Sequence, residues 1–137
     1  MANLTVTAAN VAIGGDTARV RAVTVGEAVT QGEPVYFNPS DSKYYLAEAG
    51  DVVAKSVATA IVLTPAAADG RAVVATEGLV NVGATLSAGE IYVVSATAGA
   101  IAPIADLTTG DFVTILGVAT STSLIDLRIT ASQAATA

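Results

Sequence analysis

The chain of 137 residues contains no cysteine, no histidine and no tryptophan. Without thiols it forms neither disulfides nor thiolate metal sites, and without imidazole it also lacks the commonest zinc ligand in proteins. A domain of this length needs no such cross-link, because it buries roughly two thirds of its unfolded surface. We therefore expect a single domain that holds no metal ion and no cofactor.

Positive charge is also scarce. Six basic residues stand against twelve acidic ones, the formal net charge is −6, and the basic residues are scattered along the chain. Binding to DNA or RNA requires a basic stripe that neutralises phosphates and releases their counterions. The charge balance therefore argues against nucleic acid as a partner.

The sequence has no run of residues that would cross a membrane as a helix. The uncharged segment Ile91 to Ala105 is interrupted by serine, threonine, glycine and proline, and it falls short of the roughly 20 apolar residues that a span requires. The opening MANLTVTAANVAIGGD has neither a basic start nor a continuous apolar core, so it does not read as a signal peptide. We expect no membrane partner and assembly without export.

Aromatic residues make up only 4% of the chain, although 53% of it is hydrophobic, chiefly alanine and valine. Small side chains must therefore fill the core, which suits closely packed β-sheets. The same composition leaves much apolar area for a contact between subunits.

Alternation of apolar and polar residues predicts strands along most of the chain. In SLIDLRIT, Ile125, Leu127 and Ile129 share one face while Asp126 and Arg128 share the other, the pattern of a half-buried strand. Similar runs are ARVRAVTV, KYYLA, VATAIVLT, RAVVAT, GLVNV, IYVV and FVTILGVAT, separated by turn signals such as Asn-Pro and Asp-Gly. Eight or more short strands at this spacing predict an all-β fold, a single compact barrel or sandwich.

One phrase occurs twice. VTVGEAVTQGEPVYF, which begins at Val23, returns as VNVGATLSAGEIYVV, which begins at Val80, an offset of 57 residues. After a one-residue slip, VATAIVLT also lies over VTILGVAT. The repetition predicts two similar units of about fifty residues, each with roughly four strands, that pair into a pseudo-symmetric body.

The glycines of the repeated phrase mark predicted turns. The offset places Gly26 over Gly83 and Gly32 over Gly89. Each lies where a strand must reverse, and there a positive φ costs glycine little and other residues more. We expect all four to be structural turn positions.

The repeat also sets the expected domain organisation. A β domain covers 19–130, with repeat units at about 23–75 and 80–130. An extended N-terminal arm, 1–18, precedes it, and a flexible C-terminal tail, 131–137, follows.

Two glutamates of the repeated phrase, Glu33 and Glu90, are the candidates for chemistry. They read either as solvated carboxylates beside tight turns or as a carboxylate pair for the acid and base steps of glycoside hydrolysis. Neither a nucleophile elbow nor an aromatic sugar platform accompanies them. We favour the first interpretation, predict no catalytic residue, and expect that the protein is not an enzyme.

The segment NPSDSKYYLAEAGD gathers Asp41, Glu48 and Asp51 among oxygen-bearing residues, a composition that suits calcium. It lacks the alternating acids and central glycine of the EF-hand loop. A turn followed by a strand is the preferred interpretation.

Taken together, these phrases resemble the small decoration (cement) proteins of tailed bacteriophage heads. The likeness covers nearly the whole chain: MANLTVTAANV, GEAVTQGEPVYF, KYYLAEA, the long segment from GLVNV to GVATS, and SLIDLRI. The resemblance implies a structural protein without enzymatic activity. It also implies binding to the major capsid protein on the outer surface of the expanded shell, commonly as a homotrimer at local threefold positions, after assembly in the host cytoplasm.

The uncharged N-terminal arm is the expected contact with the capsid or with a neighbouring subunit. In NLTVT, Leu4 and Val6 share one face while the polar residues share the other, as in an edge strand with one buried side. Such a segment adds a strand to a partner sheet by β-augmentation. The expected contact residues are Asn3, Leu4, Thr5, Val6, Thr7 and Val11.

Two other function classes stay open at this point. A β-rich surface adhesion or carbohydrate-binding module, or a head-fibre component, would carry a ligand-binding site. A hydrolase that uses Glu33 and Glu90 would bring both carboxylates to one cleft.

Overall fold

The computed structural model describes residues 3–15 and 17–135. In this part of the chain ten β-strands form one sheet, which curls into a half-barrel. Strands account for 48% of the structure and helices for 8%, so the predicted all-β fold class is confirmed.

The strands, in chain order, are β1 (Val11–Ile13), β2 (Arg19–Thr24), β3 (Pro34–Asn38), β4 (Lys43–Leu46), β5 (Ala58–Val62), β6 (Arg71–Val82), β7 (Ile91–Val94), β8 (Ile101–Pro103), β9 (Phe112–Ala119) and β10 (Leu124–Ala135). One helical turn, α1 (Val53–Ser56), precedes β5, and short 3-10 turns occupy Ala8–Asn10 and Ile104–Asp106. The alternating runs identified in the sequence all fall on strands. RAVVAT and GLVNV, which read as two runs, form the single long strand β6.

The order of strands in the sheet reveals the duplication. It is β4-β3-β5-β6-β10-β9-β7-β8, and β1 and β2 also pair with β6. Outward from the centre, β6-β5-β3-β4 on one side corresponds to β10-β9-β7-β8 on the other. The fold is therefore built from two similar units that meet where β6 pairs with β10.

The register of the strands repeats with the same offset as the sequence. Tyr36 lies opposite Tyr45 in the β3–β4 pair, and Val93 lies opposite Ala102 in the β7–β8 pair, each 57 positions later. The β3–β5 and β7–β9 pairs also share an irregularity, a register shift directly after Val35 in one and after the equivalent Tyr92 in the other. A bulge kept in both copies indicates one pairing scheme used twice.

Strand β6 belongs to both units. Its first half pairs with β2 and β5, its second half pairs with β1 and β10, and the change between the two sets of partners occurs near Gly78. Gly78 has a φ of +98°, and a Cβ there would overlap the backbone of Ala18. The predicted limits of the two units, 75 and 80, thus lie within one continuous strand that bends at a glycine.

Equivalent positions of the two units are buried in two hydrophobic clusters, the larger of which also contains first-unit residues such as Ile61. In the first unit Val23, Val25 and Val29 are buried, and the second unit buries their counterparts Val80, Val82 and Leu86. On β10 the predicted inward residues Ile125 and Leu127 are fully buried. The small aliphatic residues that dominate the composition therefore form two related cores.

The C-terminal strand extends past the predicted end of the β domain. Ala131 pairs with Thr114, and Ala135 pairs with Phe112. The predicted tail, 131–137, thus begins inside β10, and its residues 136 and 137 lie outside the described residues.

Candidate interaction site at the N-terminal arm

The described part of the N-terminal arm lies along the second unit. The Leu4 N–H donates to the Ile101 carbonyl at 2.8 Å, and the Thr7 N–H donates to the Gly83 carbonyl at 2.7 Å. After a 3-10 turn, β1 continues the contact, with Val11 opposite Val82 on β6. Residues 1, 2 and 16 of the arm lie outside the described residues.

The side chains of the arm alternate in burial. Leu4 and Val6 are half-buried, whereas Asn3, Thr5 and Thr7 are exposed. Leu4 packs against the core of the second unit, and Val11 is only 9% exposed. The apolar face of the arm is thus covered by the chain itself, and the face open to a partner is polar. The alternation indicates that one face is buried, but it does not encode which core buries it.

Asn3 fixes the start of the arm through its side chain. Its Oδ1 accepts a hydrogen bond from Ser95 Oγ at 2.5 Å, and its Nδ2 donates to Thr97 Oγ1 at 3.2 Å. Ser95 is fully buried in the loop between β7 and β8. Ser95 cannot be identified from the sequence, because an isolated serine in a loop gives no signal of a partner 92 positions away.

Comparison of the two units explains why the arm lies here. In the first unit the Gly26 N–H donates to the Tyr44 carbonyl at 2.8 Å. The equivalent carbonyl in the second unit, that of Ile101, accepts instead from Leu4 of the arm. The Gly83 N–H is satisfied at 2.9 Å by Asn81 Oδ1. The arm therefore makes, in the second unit, the hydrogen bond that the first unit makes between its own turn and strand.

Three of the four predicted turn glycines have a left-handed backbone. The φ angles are +87° at Gly32, +75° at Gly83 and +86° at Gly89. The expectation of a positive φ is wrong for Gly26, which needs to be small for another reason: a Cβ there would overlap the ring of Tyr45. Sequence equivalence thus places a glycine at both positions while the physical requirement differs.

Gly32 and Gly89 form equivalent turns in different surroundings. The Gly32 N–H donates to Val62 O at 2.8 Å, and the Gly89 N–H donates to Ala119 O at 2.7 Å. A Cβ on Gly32 would lie 2.7 Å from Val6 Cγ1 of the arm. A Cβ on Gly89 would meet no described atom within 4 Å. A glycine at position 32 is therefore needed both for the turn and for the packing of Val6 of the arm.

The two glutamates of the repeated phrase do not share a structural role. Glu33 Oε1 accepts from the Thr30 N–H at 2.6 Å and so caps its own turn. In the second unit the corresponding Ser87 N–H donates instead to the Tyr92 hydroxyl at 2.9 Å. Glu33 thus lies beside its turn as expected, but the residue is half-buried and its carboxylate caps the turn rather than being solvated.

In the segment NPSDSKYYLAEAGD, whose composition suits calcium, the carboxylates contact other groups of the protein. Glu48 and Asp51 both face Lys55 Nζ, at 3.8 and 2.7 Å. Asp41 accepts hydrogen bonds from the Tyr45 hydroxyl and the Lys43 N–H. Within residues 3–15 and 17–135, no group of three or more acidic side chains is arranged to hold a metal ion.

The Asp41–Tyr45 contact changes the acidity of both groups. The hydrogen bond to the carboxylate raises the pKa of Tyr45 from 10.0 to about 12, because it favours the neutral phenol. The same bond lowers the pKa of Asp41 below 3.8, because it favours the carboxylate. Tyr44, on the opposite face of β4, packs instead against the core of the first unit. Tyr44 and Tyr45 thus lie on opposite faces of β4, as the alternation predicts, but both are half-buried and they do not divide into core and surface.

An open polar groove lies beside the arm and has a volume of about 460 Å³. Three segments line it: arm residues between 5 and 10, the turn 81–85 after β6, and residues 122–123 of the β9–β10 hairpin. The lining residues are threonine, asparagine, serine, glycine and alanine. Neither Glu33 nor Glu90 contributes to it. The groove is not apparent from the sequence, although an asparagine two residues before a glycine, as in NVG, is a turn signal.

In the part of the chain that the structure describes, no helix is long and apolar enough to cross a membrane. Searches with models of protein families, among curated proteins and among solved structures find no match to the chain.

Proposed function

We propose that the protein is a structural decoration protein of a bacteriophage head. In this role it binds the major capsid protein on the outer surface of the expanded shell, as a homotrimer at local threefold positions, and stabilises the shell. It assembles in the host cytoplasm and acts without enzymatic chemistry. The proposal is supported by the resemblance of nearly the whole sequence, in its overall pattern, to decoration proteins.

The distribution of apolar side chains on the surface supports a role in protein contacts. The large apolar residues that stay exposed are Ile13, Val20, Phe37, Val52, Val53 and Val118. Ile13 on β1 and Val20 on β2 are each 52% exposed. These two strands pair with β6 but lie outside the main order of strands in the sheet. Covering such side chains at a subunit or capsid interface removes apolar surface from water, which favours association by about 25 cal/mol per Å².

The arm supports the proposal through its exposed face. Thr5 and Thr7 present hydroxyl groups to solvent while Leu4 and Val6 face inward, and the amide of Asn3 is held by Ser95 and Thr97. A capsid protein that docks on the arm meets hydrogen-bonding groups on a segment that the rest of the decoration protein already holds in place. Little conformational entropy is then lost on docking, which favours attachment.

Threefold repetition gives the mechanism of stabilisation. A trimer on a local threefold site makes each contact three times, and once the first contact forms, the others form at high effective concentration. Weak individual contacts then sum to firm attachment that bridges neighbouring capsomers.

The test is sedimentation of decoration-free capsids with the purified protein, beside light scattering of the protein alone. We expect a trimer in solution or on the shell, co-sedimentation, and density at local threefold positions in cryo-images. A monomer that neither assembles on the shell nor co-sediments with it would refute the proposal.

Variants with aspartate in place of Ile13, Val20, Phe37, Val52 or Val118 identify the contact surface. At least one should abolish trimer formation or retention while its melting temperature stays unchanged. Thr130→Asp, at an exposed position of β10, is a matched control for an added surface charge.

A further inference from the structure

The polar groove beside the arm has the composition of a binding site for a neutral, hydroxyl-rich ligand. Its described lining residues carry hydroxyl and amide side chains and none of them is charged, on a chain whose net charge is −6. We propose that this groove binds neutral carbohydrate. This inference does not depend on the capsid role.

The groove exists because the second unit differs from the first. In the first unit Gly26 pairs directly with Tyr44, and the chain closes on itself. In the second unit Gly83 turns away with a φ of +75°, and the arm enters between Gly83 and Ile101. The arm and the turn 81–85 therefore stand as two walls, and residues 122–123 form the third.

One wall of the groove is held in place by hydrogen bonds. Asn81 Oδ1 accepts from the Gly83 N–H at 2.9 Å, and the Leu86 N–H donates to the Thr122 carbonyl at 2.8 Å. Because its oxygen is engaged, the amide of Asn81 keeps its Nδ2 donor for another acceptor. A preorganised donor of this kind lowers the entropic cost of binding.

The remaining groups supply donors and acceptors together. Among the described residues, the side chains of Thr5, Thr7, Thr85, Thr122 and Ser123 have no internal hydrogen-bond partner. Each hydroxyl both donates and accepts, as sugar hydroxyls do. The methyl groups of the threonines and of Ala84 offer small apolar contacts for the C–H faces of a sugar ring.

The same chemistry excludes other ligand classes. Among the lining residues that the structure describes, a phosphate or carboxylate would find no cation, and a cation would find no carboxylate. An apolar ligand would leave the hydroxyl and amide groups without water or a partner, which is unfavourable. A volume of about 460 Å³ lies within the range of small-ligand sites and accommodates a disaccharide. Because no aromatic ring lines the groove, we expect millimolar affinity.

The test is a titration of the isotopically labelled full-length protein, followed by amide chemical shifts. The probes are four neutral disaccharides, namely cellobiose, maltose, lactose and N,N′-diacetylchitobiose, each to tens of millimolar. We expect at least one to give saturable shifts at Gly83, Thr85 and Ser123 and none at the equivalent Gly26 turn. Sialyllactose, compared with lactose, tests the requirement for a neutral ligand and should bind more weakly.

Two conservative variants test the assignment of the groove. Asn81→Asp keeps the oxygen that accepts from Gly83 but removes the Nδ2 donor, and should weaken binding about 10-fold. Thr122→Val keeps the shape but removes a hydroxyl, and should weaken binding about 3- to 10-fold. Thr130→Val, eight positions away on β10, is the matched control and should bind like the parent protein.

Three results would overturn the proposal: no saturable shift with any of the four disaccharides, shifts confined to another surface, or equal affinity in Asn81→Asp and the parent. Capsid co-sedimentation of the same variants is measured in parallel. Retention without sugar binding would refute the groove alone, and sugar binding without retention would refute the capsid role alone.

Discussion

The equivalent turns at Gly32 and Gly89 allow the contribution of the arm to be measured against an internal control. Alanine at either position must adopt a φ near +87° or +86°, which costs about 1–2 kcal/mol for a residue with a Cβ. The gain from a less flexible unfolded chain is the same for both substitutions and cancels in the comparison. The two variants therefore differ only in what the new Cβ meets.

At Gly32 the added Cβ lies 2.7 Å from Val6 Cγ1, too close for two carbons, so Val6 must move. Because Val6 is half-buried, displacing it forfeits part of the roughly 1.5–3 kcal/mol that full burial of such a side chain is worth. At Gly89 the Cβ meets no described atom within 4 Å. We expect Gly32→Ala to destabilise the protein by about 1–2 kcal/mol more than Gly89→Ala.

The assay is urea unfolding followed by far-ultraviolet circular dichroism, at one protein concentration for all variants. Val6→Ala removes the γ-carbon that causes the overlap, so in that background the cost of Gly32→Ala should fall toward that of Gly89→Ala, and the remaining excess comes from Val11 Cγ2, 3.3 Å from the new Cβ. The double-mutant cycle then gives a coupling between positions 6 and 32 of about 1 kcal/mol. If Gly32→Ala and Gly89→Ala lowered the free energy of unfolding of the parent protein equally, the packing of Val6 against Gly32 would be refuted.

Three further predictions concern stability and pH. Deleting residues 1–12 should lower the melting temperature, because Leu4 and Val11 no longer pack on the core and the carbonyls of Ile101 and Gly83 lose their hydrogen-bond donors. An unchanged melting temperature would mean that the arm is dispensable for folding. Thr114→Val should cost about 1–3 kcal/mol, because the buried Thr114 hydroxyl donates to the Ser56 carbonyl, whereas the exposed Thr130→Val should be nearly neutral in the same melts. In a titration of tyrosinate absorbance one group should ionise near pH 12, the value for Tyr45, and Asp41→Asn should bring that pKa back toward 10.0. Because the folded pKa of Tyr45 is raised and that of Asp41 is lowered, the stabilisation from this contact is complete between the ordinary pKa values of the two groups, 3.8 and 10.0, and is lost as the pH rises through 12. A parent protein in which every tyrosine ionises near pH 10 would contradict it.

The fold was largely predictable because its information is local and repeated. Alternation in SLIDLRIT identifies Ile125 and Leu127 as inward-facing whatever packs on them, and both are fully buried. The 57-residue offset, visible from Gly32 and Gly89 in the sequence, reappears in hydrogen bonds to Val62 and Ala119 that are also 57 positions apart. A turn motif written twice specifies the same backbone twice.

Other features depend on which distant segments meet, and the sequence pattern carries no such information. The alternation in NLTVT marks Leu4 and Val6 as one face, yet only the tertiary structure places that face on the chain's own core. Equivalent glycines differ for the same reason: Gly32 touches the arm and Gly89 does not. The groove at Asn81 arises only because the arm lies between Gly83 and Ile101. Periodicity encodes the side of a strand that is buried, whereas the identity of the covering residues is set by long-range packing, which a single sequence does not record.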